Sequence, residues 1–161
     1  MAQPLSEQQV FLKLSALCAS AEHCSYEMTE KMRRWQVPGE VQAKVMQRLV
    51  SGKYVDDERY ARSFVNDKIK YNKWGRRKVE QALYIKHIPP QVIARALDEV
   101  DPQVYECILR PLLQAKRKTV KARNGYELKA KLTKFALSRG FTPEVIRRCL
   151  GGFEDDCFPT F

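Results

Sequence analysis

Apolar positions recur along this chain at two scales, a helical one and a much longer one. Met28, Met32, Val37, Val41, Val45 and Met46 are matched 51 residues on by Val79, Leu83, Ile88, Val92, Ala96 and Leu97. A further 53 residues on stand Leu132, Ala136, Phe141, Val145, Cys149 and Leu150. Every position stays apolar, with Ala136 the weakest match because it is small. Self-similarity at a period near fifty residues is the mark of a repeat architecture. Inside each copy the first two positions lie four apart and the later ones follow helical spacing, which predicts two short amphipathic helices joined by a tight turn. Pro38-Gly39, Pro89-Pro90 and Thr142-Pro143 fall at equivalent places. There a proline cannot extend the helix before it but suits the first turn of the next.

The remaining pattern supplies one more helix to each copy. Residues 6–21 predict a first helix with Ser6 as N-cap, Glu7 in the first turn, and Val10, Leu14 and Leu17 on one face. Helices over 26–36 and 39–51 complete that unit. The second opens at Asp56-Asp57-Glu58, acids suited to a helix N-terminus. Its stripe of Tyr60, Ala61, Phe64, Val65 and Ile69 ends at Trp74-Gly75, and a helix from about Arg76 to Lys86 leads through Ile88-Pro89-Pro90 into a third ending near Val100. Asp101-Pro102 starts the third unit with a capping acid and a proline at the first helical position. That helix is expected to run towards Lys121, with a kink or break near Leu109 caused by Pro111. Asn124-Gly125 marks a turn, and a helix over 126–139 ends at Gly140. The expected organisation is all-α, with repeats over 6–53, 54–100 and 101–151 and an acidic flexible tail over 152–161.

Composition changes this picture little, and charge changes it more. With 161 residues, 44% hydrophobic and 30% charged, the chain has the balance of a soluble globular protein. No apolar run is long enough to cross a bilayer, so no membrane association is expected. The first twenty residues lack the pattern of a secretory signal, and a cytoplasmic location is expected. Cys18, Cys24, Cys107, Cys149 and Cys157 are odd in number and contain no Cys-x-x-Cys pair, which argues for reduced thiols and against a disulfide framework or a zinc site. The alignment makes Cys149 a core residue. Net charge is +10 but uneven: +1 over residues 1–50, +4 over 51–100 and +8 over 101–150, while the last eleven residues carry three acids and no base. Clustered cations of this kind favour a polyanionic partner. The competing reading is solvated helix faces.

Catalytic chemistry finds no support. His23 and His87 are the only histidines, and neither stands in a recognisable Ser-His-Asp set. Gly52-Lys53 lacks the glycine-rich run of a phosphate-binding loop. Adjacent Asp56 and Asp57 at a helix start suit capping better than metal ligation. No enzyme activity, cofactor or metal is expected.

The run Val50–Val65 (VSGKYVDDERYARSFV) resembles the most distinctive stretch of the RecX family, regulators of the RecA recombinase. Gly75-Arg76-Arg77-Lys78-Val79 and Leu83–Ile88 are similar to that family's glycine-basic helix and the turn after it. Leu137-Ser138-Arg139-Gly140-Phe141 with Val145-Ile146 resembles its arginine-glycine-phenylalanine element, and Glu22-His23-Cys24-Ser25 a weaker element. The resemblance spans about residues 10–150. Pro111 departs from it, as does Tyr84-Ile85-Lys86-His87, which replaces a lysine-glycine ending. It implies three tandem three-helix repeats in an elongated, curved molecule that binds the helical groove of the RecA nucleoprotein filament, touches DNA, and inhibits ATP hydrolysis and strand exchange. A monomer acting in recombination and repair is expected. The alternative is a basic helical protein that binds single-stranded nucleic acid without RecA, and a third class is a helical adaptor for a protein partner.

Two clusters are candidate contacts for single-stranded DNA or the filament. Lys70, Lys73, Arg76, Arg77 and Lys78 surround a turn and a helix start, with Tyr71 and Trp74 between them as candidate stacking residues. The competing role for Trp74 is packing between repeats. Lys116, Arg117, Lys118, Lys121 and Arg123 form the densest cationic run, and Lys129, Lys131, Lys134 and Arg139 add to it. A solvated helix end, where cations suit the dipole, is the competing reading there.

Overall fold

A computed structural model describes residues 3–151. Nine α-helices and no strand make up the described residues: α1 Glu7–Ser20, α2 Ser25–Arg34, α3 Gly39–Ser51, α4 Asp57–Lys70, α5 Arg76–Ile85, α6 Pro90–Asp98, α7 Pro102–Arg117, α8 Gly125–Ser138 and α9 Pro143–Leu150. The acidic tail expected over 152–161, and Cys157 with it, lies outside the described residues.

Local chemistry accounts for the helix starts. Ser6 accepts from the Gln9 amide at 3.2 Å while Gln9 Oε1 accepts from the Ser6 amide at 2.9 Å, a reciprocal capping box. Asp101 accepts from the Gln103 amide, Asn124 from that of Glu127 and Thr142 from that of Val145, and prolines occupy the first turns of α7 and α9. The two acids at the head of α4 part company. Asp56 accepts from the Arg59 amide at 3.1 Å and so caps its own helix. Asp57 instead accepts from the Ser25 amide at 2.8 Å, closing the N-terminus of α2.

The repeat extends to the backbone. Gln36, His87 and Gly140 stand at equivalent positions and have φ of 57°, 58° and 91°. After each, an apolar residue donates its amide to the carbonyl five residues back: Val37 to Met32, Ile88 to Leu83 and Phe141 to Ala136. This is the left-handed stop that ends a helix and turns the chain. Glycine is the residue that adopts it without steric cost. His87 does so with its ring stacked on Tyr26, centroids 4.3 Å apart and planes 11° from parallel.

The chain divides into two compact units. One takes the described residues up to Ser63 together with Leu83–Ala94, the other Phe64–Ala82 and the described residues from Arg95 on. In the first unit α3 packs on α1 and α2, and Val10, Leu14, Met28, Met32, Val37, Val45, Leu49 and Val55 form one core. In the second, α7, α8 and α9 pack on one another and bury Leu109, Leu113, Leu132, Ala136, Phe141, Ile146 and Leu150. Cys149 is buried as the alignment requires.

Helix α7 departs from expectation. It runs unbroken through Pro111 and stops at Arg117 rather than near Lys121. Pro111 is exposed, and so is Cys107, whose carbonyl the proline deprives of a donor. That carbonyl therefore lies on the watered side of the helix, while Leu109 and Leu113 stay fully buried on the other. The cost of a missing hydrogen bond falls where solvent can supply the replacement.

Candidate nucleic-acid interface

The first expected cluster sits where α4 gives way to α5. Lys73 adopts φ 60°, and the Trp74 amide donates to the Lys68 carbonyl at 3.1 Å, ending α4. The half-buried Trp74 ring has the Lys68 ammonium 5.1 Å and the Lys78 ammonium 4.7 Å from its centroid. Lys70 lies 5.3 Å from the centroid of Tyr71, whose side chain is exposed. Such cation–π contacts contribute about 0.5–1 kcal/mol each at exposed sites. They hold the ammonium groups near a ring without neutralising their charge.

A second cation–aromatic group forms where α7 ends beside α8. Lys116 lies 5.2 Å and Arg139 5.3 Å from the Phe135 ring centroid. Backbone joins the two groups. The Gly75 amide donates to the Arg139 carbonyl at 2.8 Å, and the Arg77 amide to the Gly140 carbonyl at 2.9 Å. Unpartnered amides at the head of α5 are thus satisfied by the turn between α8 and α9 instead of a capping side chain. Neither glycine leaves room for a side chain: a Cβ on Gly75 would lie 2.3 Å from the Phe141 nitrogen, and one on Gly140 2.4 Å from the Lys78 Cβ. Two backbones in direct contact set Trp74, Lys78, Arg139 and Phe135 in one neighbourhood.

Other expected residues are committed elsewhere or stand apart. Arg76 pairs with Asp98 at 2.9 Å. Arg123 and Lys131 both pair with Glu127, at 3.0 and 3.1 Å, and Lys131 also donates to the Lys121 carbonyl at 2.6 Å. Bonds from Arg123 and Lys131 hold the Glu127 carboxyl below its ordinary value. Lys73, Arg77, Lys118, Lys121 and Lys134 are exposed, whereas Arg117 and Lys129 are half-buried. Lys116 and Arg117 occupy the last turn of α7, where cations suit the negative end of the helix. Sequence reasoning does not single out Lys68 or Phe135 as contacts, and it places Gly75 and Gly140 only at helix ends and in motifs. The glycines carried a readable signal, since each stands beside a basic residue in a motif already singled out, but their mutual contact did not. Among the described residues no group of three side chains suited to hold a metal occurs, and no helix is long and apolar enough to cross a membrane.

Two family models match, the second three-helix domain of RecX over residues 56–97 and the third over residues 106–150, together more than half of the chain. The chain belongs to the RecX family. It is 22% identical over 151 residues to the regulatory protein RecX of Bacillus mycoides (strain KBAB4), covering 92% of this chain and 55% of that relative. Over 127 residues it is 28% identical to the regulatory protein RecX of Finegoldia magna, covering 78% of this chain and 62% of the relative. This RecX chain thus spans little more than half the length of such relatives. A crystal structure of RecX from Lactobacillus salivarius superposes with a TM-score of 0.81 at 15% identity, covering 92% of this chain and 96% of that one. Another, of regulatory protein RecX, gives 0.83 at 18% identity over 90% and 73%. At such identities the likeness shows the fold, a helical repeat.

Proposed function

We propose that this protein regulates the RecA recombinase by binding the RecA nucleoprotein filament in its helical groove. Its cationic second unit lies against strand phosphates there, and the outcome is inhibition of RecA ATP hydrolysis, strand exchange and co-protease activity in recombination, DNA repair and the SOS response. The protein acts as a monomer and does no chemistry of its own. The observation that carries this reading is the Gly75–Gly140 contact. It gathers two cation–aromatic groups into one basic surface on a RecX fold. Phosphate contacts of that kind hold a strand irrespective of its sequence, which is what a protein acting along a filament requires.

RecA ATP hydrolysis on single-stranded DNA tests it, with this protein titrated at substoichiometric amounts and the series repeated in excess free DNA. The expected result is inhibition that excess DNA does not relieve. Inhibition abolished by free DNA would point instead to a single-stranded nucleic-acid binder acting without RecA, a reading the exposed cations also favour. No inhibition in either series would overturn the proposal.

A further inference from the structure

Tyr126 is 87% exposed, more than any other large apolar or aromatic side chain among the described residues. It occupies the second position of α8, and the backbone that carries it is held on every side. Asn124 accepts from the Glu127 amide at 2.8 Å, and the Leu128 amide donates to the Asn124 carbonyl at 3.1 Å. The Glu127 carboxylate ties Arg123 before Tyr126 to Lys131 after it, and Lys131 reaches back to the Lys121 carbonyl. A segment with few apolar anchors is thereby fixed, and what it presents to water is one aromatic ring. The sequence neighbour of Tyr126, Glu127, gathers Arg123 and Lys131, Lys131 is bonded to Lys121, and Lys118 and Lys121 are exposed in the segment just before Tyr126. The carboxylate next to Tyr126 in sequence, that of Glu127, is engaged by two cations, so it offers a phosphate little repulsion. Trp74 differs, because Lys68 and Lys78 already lie over its half-buried ring. Among the described residues no cation or ring lies against Tyr126.

We infer that Tyr126 is the residue on which an unpaired nucleobase stacks, while Lys118 and Lys121 hold the neighbouring phosphates. This rests on the reading that the second unit contacts single-stranded nucleic acid. Stacking needs only a free aromatic face and a rigid mount, and every base has a face to offer, so the contact is indifferent to sequence. Rigid presentation also reduces the ordering that binding would otherwise require.

Fluorescence anisotropy on a labelled oligothymidylate and on an abasic strand of the same length, at one salt concentration, tests the assignment. The full chain is compared with Tyr126→Ala, Tyr126→Phe and the double variant Lys118→Glu/Lys121→Glu. Tyr126→Ala is expected to weaken binding to oligothymidylate by about ten-fold or more. Tyr126→Phe keeps the affinity, and neither Tyr126 variant changes binding to the abasic strand. If Tyr126→Ala binds oligothymidylate normally while the double variant is weakened, the stacking role is overturned and the basic face stands. An equal loss for Tyr126→Ala on both strands also overturns stacking. If no variant is weakened on either strand, the nucleic-acid face itself fails, and this inference with it.

Discussion

At Gly140 two separate requirements fall on one residue. Its φ of 91° lies in the left-handed region, and a Cβ there would stand 2.5 Å from the Lys78 nitrogen. Backbone cannot step aside as the end of a flexible side chain can, so Gly140→Ala is expected to cost about 2–4 kcal/mol in urea denaturation. Gly39→Ala is the control: no atom lies within 4 Å of its Cβ, and a shift below about 0.5 kcal/mol is expected. Glu27 provides a different handle. Burial pushes its carboxyl up, but the Cys24 amide and the charges of Lys86 and His23 outweigh that and bring it below the ordinary 4.5. A carboxyl depressed in the folded state contributes stability that is fully present above its unfolded value and is lost as pH falls through the folded one. The stability advantage of the wild type over Glu27→Gln is therefore expected to be present from neutral pH down to about 5 and to shrink below 4.5. Urea midpoints at pH 7 and pH 3.5 check it, and an advantage that persists at the lower pH would contradict the assignment.

At the scale of elements, the starts and stops of helices were legible because they are local. Ser6, Asp101-Pro102, Asn124-Gly125 and Thr142-Pro143 each bring their donor or acceptor within three residues, and each helix begins where those signals place it to within a residue. Asp57 was read only as part of a helix start, because its partner Ser25 lies 32 positions away and no local pattern encodes that bond. Of the kink or break expected near Leu109, the break does not occur, for a related reason. A proline's effect on a helix depends on which side its orphaned carbonyl faces, and the residues around Pro111 do not by themselves say which side the fold will bury. Pro111→Ala restores the missing hydrogen bond on a helix whose buried face is already intact. A proline inside a regular helix costs about 3 kcal/mol. Cys107 is exposed, so solvent can serve its carbonyl, and the alanine gives the unfolded chain more freedom, so the net gain is expected near 1–2 kcal/mol. A higher urea midpoint with unchanged slope is the expected outcome, and a lower midpoint would mean that the proline has a packing role.

For the molecule as a whole, the repeat and the charge gradient were both in the sequence, but the gathering of charge was not. Net charge rises from +1 over residues 1–50 to +8 over 101–150. Counting alone cannot tell cations committed to carboxylates, such as Arg76 and Arg123, from those on exposed positions, such as Lys118 and Lys121. The distinction decides what salt will do. Each phosphate neutralised on a single strand contributes about 0.7 to the slope of log affinity against log salt. Reversal of Lys116, Arg117, Lys118 and Lys121 to glutamate is therefore expected to lower that slope by about 3 and to abolish binding near physiological ionic strength. An equal reversal of Lys31, Arg33, Arg34 and Lys44 changes net charge by the same amount in the first unit. If attraction were a property of total charge, the two sets would weaken binding alike. If it belongs to the surface around the end of α7, the second set leaves the slope where it was, and titrations of both variants at three salt concentrations separate the two cases.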